Sequence, residues 1–236
     1  DEVKIETSTH TFPLHAMLLL TELKAEESLD ELLEFFRQDS KFLEFWFAEL
    51  IAKLPAFAVE ILGSRQLDKL KSYMFEEGND TFAKSEVSVG VANIAWKFPK
   101  RKDEVVDWFE DVLNYFYENR ENDKLIDSQL IGYILWDIVE LRATKLEPII
   151  EKLYESQVVD QSIVGDFKQY RKDLRRKFEQ FELDQFNFEE IYKDLANDEK
   201  EYEKNGKRKA SFVKDEDPED VEYSKPVPEI FRNIGR

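Results

Sequence analysis

Apolar residues recur every three or four positions along most of the chain, a pattern typical of amphipathic helices. Polar capping residues, prolines or glycines separate one apolar stripe from the next, and these are helix start and stop signals. The stripes run from about residue 13 to about residue 196. Gly and Pro number only seven each, too few for the many tight turns of a β-sandwich or β-barrel. The pattern predicts an all-α protein.

The stripes also repeat in pairs. A shift of about forty residues places Val91 on Ile131 and Trp96 on Trp136, apolar on apolar. Two helical stripes per unit of this length are typical of stacked helix-pair repeats, in which each unit contacts only its neighbours. The sequence therefore predicts a right-handed α-solenoid over residues 1–196.

Several local features predict where helices begin and which residues they bury. Ser28 and Thr144 each stand three residues before a glutamate, the spacing of a capping box, and Ser40 is a candidate cap for another helix. A longer helix is expected over residues 163–178. The apolar stripe expected for the first helix is Ala16, Leu19, Leu20 and Leu23.

From about residue 197 the helical period disappears. Residues 197–236 are highly charged and nearly balanced in sign, which predicts a linker or irregular tail, partly extended. Some apolar side chains in this tail could still dock along the helical body: Phe212, Val213, Val227, Ile230 and Phe231.

Charge and composition exclude several classes of function. Thirty-four basic and 52 acidic residues give a net charge of −18, so the protein repels phosphate and nucleic acid is an unlikely partner. The chain contains no Cys, which removes disulfides, thiolate nucleophiles and Cys-bound metal. No apolar run approaches the ~20 residues of a membrane span. A cytoplasmic protein without membrane contact is expected.

Four stretches carry distinctive local sequence, at residues 15–36, 45–63, 99–103 and 158–167. Read together, they resemble an uncharacterised bacterial domain family built from HEAT-like helical repeats. The resemblance covers most of residues 13–180. It implies an α-solenoid and no agreed activity, so it supplies no catalytic residues.

The end of the chain has a resemblance of its own. Residues 232–236, RNIGR, are similar to the lead-in of the SEC-C tail, a short Cys-rich zinc module that some members of such families carry. The module itself does not follow in this chain. If the parent protein continues into it, the chain ends just before a metal site.

No residues form a recognisable catalytic or metal-binding set. His10 and His15 are five residues apart, so they do not share a helical face as a metal-binding pair would. The adjacent acid pairs 26–27, 76–77 and 189–190 diverge by about 100° on a helix, whereas acid–base chemistry requires convergence. Nucleophile and phosphate-loop motifs are missing. The expectation is a protein that is not an enzyme and has no cofactor.

Two groups of residues are candidates for binding a partner. Trp46 and Trp108 lie just off the best apolar arcs, at positions that can face the groove of a solenoid and anchor a partner. Tyr115 is a candidate of the same kind. The alternative for these residues is packing between repeats. The densest positive cluster lies on one predicted helix and could dock an acidic partner or the acidic tail at 215–222, or simply be a solvated face. It consists of Lys168, Arg171, Lys172, Arg175, Arg176 and Lys177.

These features together predict a non-catalytic scaffold that presents an acidic, curved surface to a protein or peptide partner, which the charge would make basic. Two alternatives stay open. One is an enzyme whose carboxylates converge around a divalent metal only in the folded state. The other is a ribosome- or RNA-associated factor that uses the basic helix.

Overall fold

The computed structural model describes residues 12–46, 54–176, 185–193 and 197. Regular structure in this part of the chain is entirely helical, which confirms the all-α prediction. Short 3-10 turns lead into α2, α7 and α9. The α-helices are α1 (Phe12–Leu23), α2 (Leu29–Phe36), α3 (Ser40–Trp46), α4 (Leu54–Gly63), α5 (Leu67–Met74), α6 (Thr81–Lys97), α7 (Lys102–Glu118), α8 (Ser128–Leu141), α9 (Glu147–Glu155), α10 (Gln161–Val164) and α11 (Phe167–Leu174).

The helices other than α3 pack in two layers. Helices α1, α4, α6, α8 and α10 lie side by side in chain order and form what we call the A layer. Helices α2, α5, α7, α9 and α11 follow their A-layer partners in the chain and form the B layer. Apolar side chains from both layers meet in one continuous core.

Side chains about forty residues apart meet across neighbouring B-layer helices. The hydroxyl of Tyr73 on α5 donates to the carbonyl oxygen of Phe36 on α2 at 3.1 Å. The ammonium of Lys71 on α5 lies 2.8 Å from the carboxylate of Asp111 on α7. The distance along the chain at which helices become neighbours therefore matches the repeat seen in the sequence.

Aspartate side chains cap the starts of several helices by accepting hydrogen bonds from backbone N–H groups of the first turn. A carboxylate also suits the positive end of the helix dipole. The predicted caps at Ser28 and Thr144 are wrong, because both residues lie in 3-10 turns and their side chains make no capping bond. Ser40 is the first residue of α3, one position after the actual cap. The capping residues are Asp39, Asp80, Asp127, Asp160 and Asp166.

The long helix expected over residues 163–178 is broken at Gly165. This glycine has φ +74°, a left-handed conformation that L side chains rarely adopt, and it ends α10. Asp166 then starts α11 by accepting from the backbone N–H of Gln169 at 2.8 Å. The break gives α10 and α11 separate places, one in each layer.

The A-layer helices approach each other closely. At Gly90 on α6, an added Cβ would lie 2.5 Å from Cγ1 of Val59 and 2.8 Å from the carbonyl oxygen of Ala56, both on α4. Helix α4 is accordingly buried on nearly all sides. In α1 the buried face differs from the predicted stripe, because Leu19 and Leu23 are exposed.

A buried lysine joins the loops between successive helix pairs. Lys84 on α6 is fully buried, and its ammonium donates to the carbonyl oxygens of Glu76 and Leu125, each at 2.7 Å. Burial lowers the pKa of Lys84 to about 8. Nearby, the N–H of Gly78 donates to the carbonyl oxygen of Lys124 at 2.6 Å, so the two loops are also joined directly.

Among the described helices, none has both the length and the apolar character needed to cross a bilayer.

Candidate interaction surface

Helix α8 presents two large aromatic side chains to solvent on the outer surface of the A layer. The cap at Asp127 fixes the start of α8, and the helix buries apolar residues on both of its flanks. The stripe left outward contains Tyr133, which is 42% exposed, and Trp136, which is 50% exposed. Burying a tryptophan ring is strongly favourable, so a ring this exposed on an ordered helix is a candidate contact residue.

A carboxylate one turn further along α8 holds the tryptophan in place. The indole Nε1–H of Trp136 donates to Oε1 of Glu140 at 3.1 Å. Partial burial raises the pKa of Glu140 above its usual value, although this hydrogen bond works in the opposite direction. The indole edge is therefore occupied, and half of the side-chain surface remains open to solvent.

A buried carboxylate, Asp137, interacts with Glu140. Asp137 on α8 accepts a short hydrogen bond from the hydroxyl of Ser88 on α6, and burial raises the pKa of Asp137 well above its usual range. The charges of Glu140 and Glu86 add to that effect. The contact between α6 and α8 therefore contains buried carboxyl groups whose pKa values are raised.

Glu86 on α6 links two A-layer helices. Its carboxylate accepts from the backbone N–H of Ala56 in the first turn of α4, while its Oε2 atom is buried without a hydrogen-bond partner. Burial raises the pKa of Glu86 to about 8. A neutral carboxyl group therefore joins α6 to the start of α4 at physiological pH.

A second link between α4 and α6 is an ion pair. The ammonium of Lys97 lies 2.5 Å from Oε1 of Glu60, whose side chain is buried, whereas Lys97 itself is half exposed. A buried carboxylate with a cation this close is satisfied. Glu60 therefore offers no free charge to a partner.

A later segment of the same chain, residues 185–193, lies on the first helices of the A layer. The ring of Phe186 packs on Phe57 of α4 with centroids 5.9 Å apart, and Tyr192 packs edge-on against His15 of α1 at 5.4 Å. Asn187 starts a short helix in this segment by accepting from the N–H of Glu190 at 3.2 Å. The A layer thus already holds an aromatic-bearing stretch of chain against its outer face.

The aromatic residues predicted as anchors have other roles. Trp108 is only 3% exposed, and its indole N–H donates to the carbonyl oxygen of Leu67 at 2.9 Å. The ring of Tyr115 stacks on Phe75 with centroids 4.0 Å apart. These rings pack α7 against the α5 region, so the expectation that they anchor a partner is corrected. Trp46 ends α3, and its side chain lies outside the described part of the chain.

The basic helix α11 has two different faces. Arg171 and Arg175 both pair with Glu147 at the start of α9, the first at 2.5 Å. Lys168, Lys172 and Arg176 are exposed, and no ion pair with them is found in the described part of the chain. Two of the predicted cations therefore join α11 to α9, and the other three remain exposed to solvent. Lys177 lies outside the described residues.

The part of the chain that the structure describes gives little support to a metal site or a ligand-binding pocket. No group of three or more His, Asp or Glu side chains there is arranged to hold a metal ion. His15 packs on Tyr192, and His10 lies outside the described residues. A shallow cleft of about 590 Å³ opens between α5 and α7, where Lys71 and Asp111 on its walls already pair with each other.

Sequence reasoning missed Tyr133 and Trp136 as surface residues. One signal was available, because Gln129, Tyr133, Trp136 and Glu140 fall at i, i+4, i+7 and i+11 on one helical face. The forty-residue repeat places Trp136 on Trp96, which does not distinguish a buried ring from an exposed one. The structure places Trp96 half-buried on α6 and leaves Trp136 more open on α8.

Comparison of the chain with family models, with curated proteins and with solved structures returned no match. The resemblance to HEAT-like repeats and to the SEC-C lead-in stays a prediction.

Proposed function

We propose that this protein is a non-catalytic interaction scaffold, an α-solenoid of HEAT-like helix pairs that binds a protein or peptide partner on the outer surface of its A layer. The observation that carries the proposal is the exposed pair Tyr133 and Trp136 on α8. Tryptophan and tyrosine at the centre of an interface often supply most of its binding energy, because they bury a large area with few rotatable bonds.

The order of the helices supports the solenoid. Each layer follows the chain, and side chains about forty residues apart meet between neighbouring helix pairs. Such stacking creates an extended surface on each layer instead of a single enclosed pocket. A long partner segment suits that surface.

The C-terminal segment supports the choice of the A layer. Residues 185–193 cover parts of α1 and α4 through Phe186 and Tyr192. The same layer therefore accommodates a short helical segment that bears aromatic side chains. Helix α8, further along the layer, keeps its aromatic residues exposed for a segment from another protein.

The net charge of −18 indicates the kind of partner. A strongly acidic protein attracts basic segments over about a Debye length and repels acidic ones, which raises the association rate with the former. The partner of this scaffold is accordingly a basic protein or peptide.

Site-specific photo-crosslinking tests the proposal. A photoreactive phenylalanine analogue is placed at Tyr133 on α8, and a matched control carries it at Glu118, which is exposed on α7 of the B layer. Adducts specific to position 133 are identified by mass spectrometry, and each candidate is then purified and titrated by calorimetry. Trp136→Ala should weaken binding of the true partner roughly thirtyfold, whereas Glu118→Ala should leave it unchanged.

Two results would count against this function. Adducts that are the same at both positions would indicate random collision with the crosslinker. A purified partner that binds Trp136→Ala as tightly as the parent protein would move the interaction away from α8.

A further inference from the structure

We propose that the face of α8 receives an arginine side chain of the partner, with its guanidinium placed over the ring of Trp136 and hydrogen-bonded to the carboxylate of Glu140. This inference rests on the proposed function and names the chemistry that the surface recognises. It concerns an anchor of a single residue, which can be tested separately from the identity of the partner.

The first argument is that the indole ring of Trp136 is both held in one orientation and exposed. Its N–H edge is directed at Glu140 by the 3.1 Å hydrogen bond, and the side chain remains 50% exposed. A guanidinium over a tryptophan face is attracted by the negative π-surface, and tryptophan is the aromatic residue that binds cations best. The hydrogen bond holds the ring in one orientation, so little rotamer freedom is lost on binding.

The second argument is that Glu140 pairs with no cation in the part of the chain that the structure describes. Two other shielded glutamates pair with a cation: Lys97 pairs with Glu60, and Arg37 donates twice to Glu76 at 2.7 Å. In the described part of the chain, the only side chain that hydrogen-bonds to Glu140 is Trp136. A carboxylate with one oxygen engaged by an indole can still accept a hydrogen bond through the other.

The third argument is local charge. Asp137 and Glu86 lie close enough to interact electrostatically with each other, and Asp137 also interacts with Glu140. Among the described residues, no basic side chain contributes to the electrostatics of Glu140 or Asp137. Because burial raises the pKa of Asp137 and of Glu86, the attraction on an incoming cation comes from Glu140 and from the net charge of −18 on the whole protein.

Arginine suits this place better than lysine. Its planar guanidinium stacks on an aromatic face and directs several N–H donors to a carboxylate at once. It is also less strongly hydrated than an ammonium, so it is more easily moved onto an apolar ring. Tyr133 lies one turn earlier on the same face and can contact the aliphatic part of the side chain.

The test uses the full chain labelled with ¹⁵N-tryptophan and a small probe, N-acetyl-arginine amide. The uncharged isostere N-acetyl-citrulline amide is the matched ligand control. The indole N–H resonance of Trp136 is identified by its loss in Trp136→Phe. Its chemical shift should move saturably with the arginine probe and at least about tenfold more weakly with the citrulline probe, which corresponds to about 1.4 kcal/mol.

Two charge variants make the test specific. Glu140→Gln should weaken the arginine probe about tenfold, and Glu118→Gln, which removes one exposed charge from the B layer, should leave binding unchanged. Equal shifts from the two probes, no saturable shift of Trp136, or equal effects of the two variants would overturn the arginine anchor.

The outcome is separable from that of the crosslinking experiment. If crosslinking at position 133 identifies a partner but the arginine probe does not bind, the anchor is wrong and the scaffold function stands. If the probe binds at Trp136 and no partner is found on α8, the anchor is supported and the scaffold function fails.

Discussion

Replacing Glu86 with glutamine removes a buried ionisable group and keeps nearly the same shape. In the parent protein the carboxylate accepts from the N–H of Ala56, and Oε2 is buried without a partner. An amide oxygen can accept the same bond, and the amide nitrogen takes the place of the protonated oxygen. Glu86→Gln therefore mimics the neutral carboxyl group at every pH.

The expected size of the effect follows from the pKa. Burial raises the pKa of Glu86 from 4.5 to about 8. Because the folded-state pKa is the higher one, this group's contribution to stability is fully present below pH 4.5 and is lost as the pH rises through about 8. The full difference corresponds to about 5 kcal/mol, and about 3.5 kcal/mol of it falls between pH 5 and pH 8.

Chemical denaturation at pH 5, 6, 7 and 8 measures this effect. The free energy of unfolding of Glu86→Gln should gain about 3.5 kcal/mol relative to the parent protein over that range. Asp137 and Lys84 also titrate abnormally, but both are present in the two proteins, so the difference isolates Glu86 to a first approximation. Glu121→Gln, at an exposed site, is the matched control. Parallel pH profiles for Glu86→Gln and the parent would refute the burial argument.

Three further experiments test the close packing of two helices, a helix cap and an ion pair by the same unfolding assay. Gly90→Ala places a methyl group 2.5 Å from Cγ1 of Val59 and should destabilise the protein by about 2–3 kcal/mol; an unchanged midpoint would contradict the close approach of α4 and α6. Asp127→Ala removes the bond to the first turn of α8 and should cost about 1 kcal/mol, whereas Asp127→Asn should retain much of it. A double-mutant cycle of Arg37→Gln and Glu76→Gln should give a coupling energy of about 1 kcal/mol, and additive effects would show that this two-bond ion pair contributes nothing net.

The helices and their pairing could be predicted because they depend on a periodic apolar pattern repeated over long stretches. The helix boundaries could be predicted less well. Serine and threonine satisfy the same capping rule as aspartate, and Ser28 and Thr144 fit the rule without acting as caps. In α1 a run of leucines makes the helix apolar on several sides, so the sequence could not specify which side is buried.

The candidate surface was harder to predict because exposure depends on neighbours that the sequence does not specify. Trp108 is buried only because α5 lies beside α7 and supplies the carbonyl of Leu67. Glu86 is a polar residue on α6, and it is buried because α4 begins against it. Trp136 is exposed even though its helix, α8, packs in the same A layer as α6. Each of these outcomes is a property of two packed helices, whereas the sequence pattern describes one helix at a time.

Hydrogen–deuterium exchange on the full chain tests most directly whether the A layer is a surface for peptide segments. The double variant Phe186→Ser/Tyr192→Ser removes the two rings that hold residues 185–193 on α4 and α1. Amides of α4 near Phe57 should then exchange faster than in the parent protein, and an excess of a synthetic peptide with the native sequence of residues 185–193 should slow them again. Exchange in α4 that is unaffected by the variant, or that does not respond to the peptide, would contradict the account.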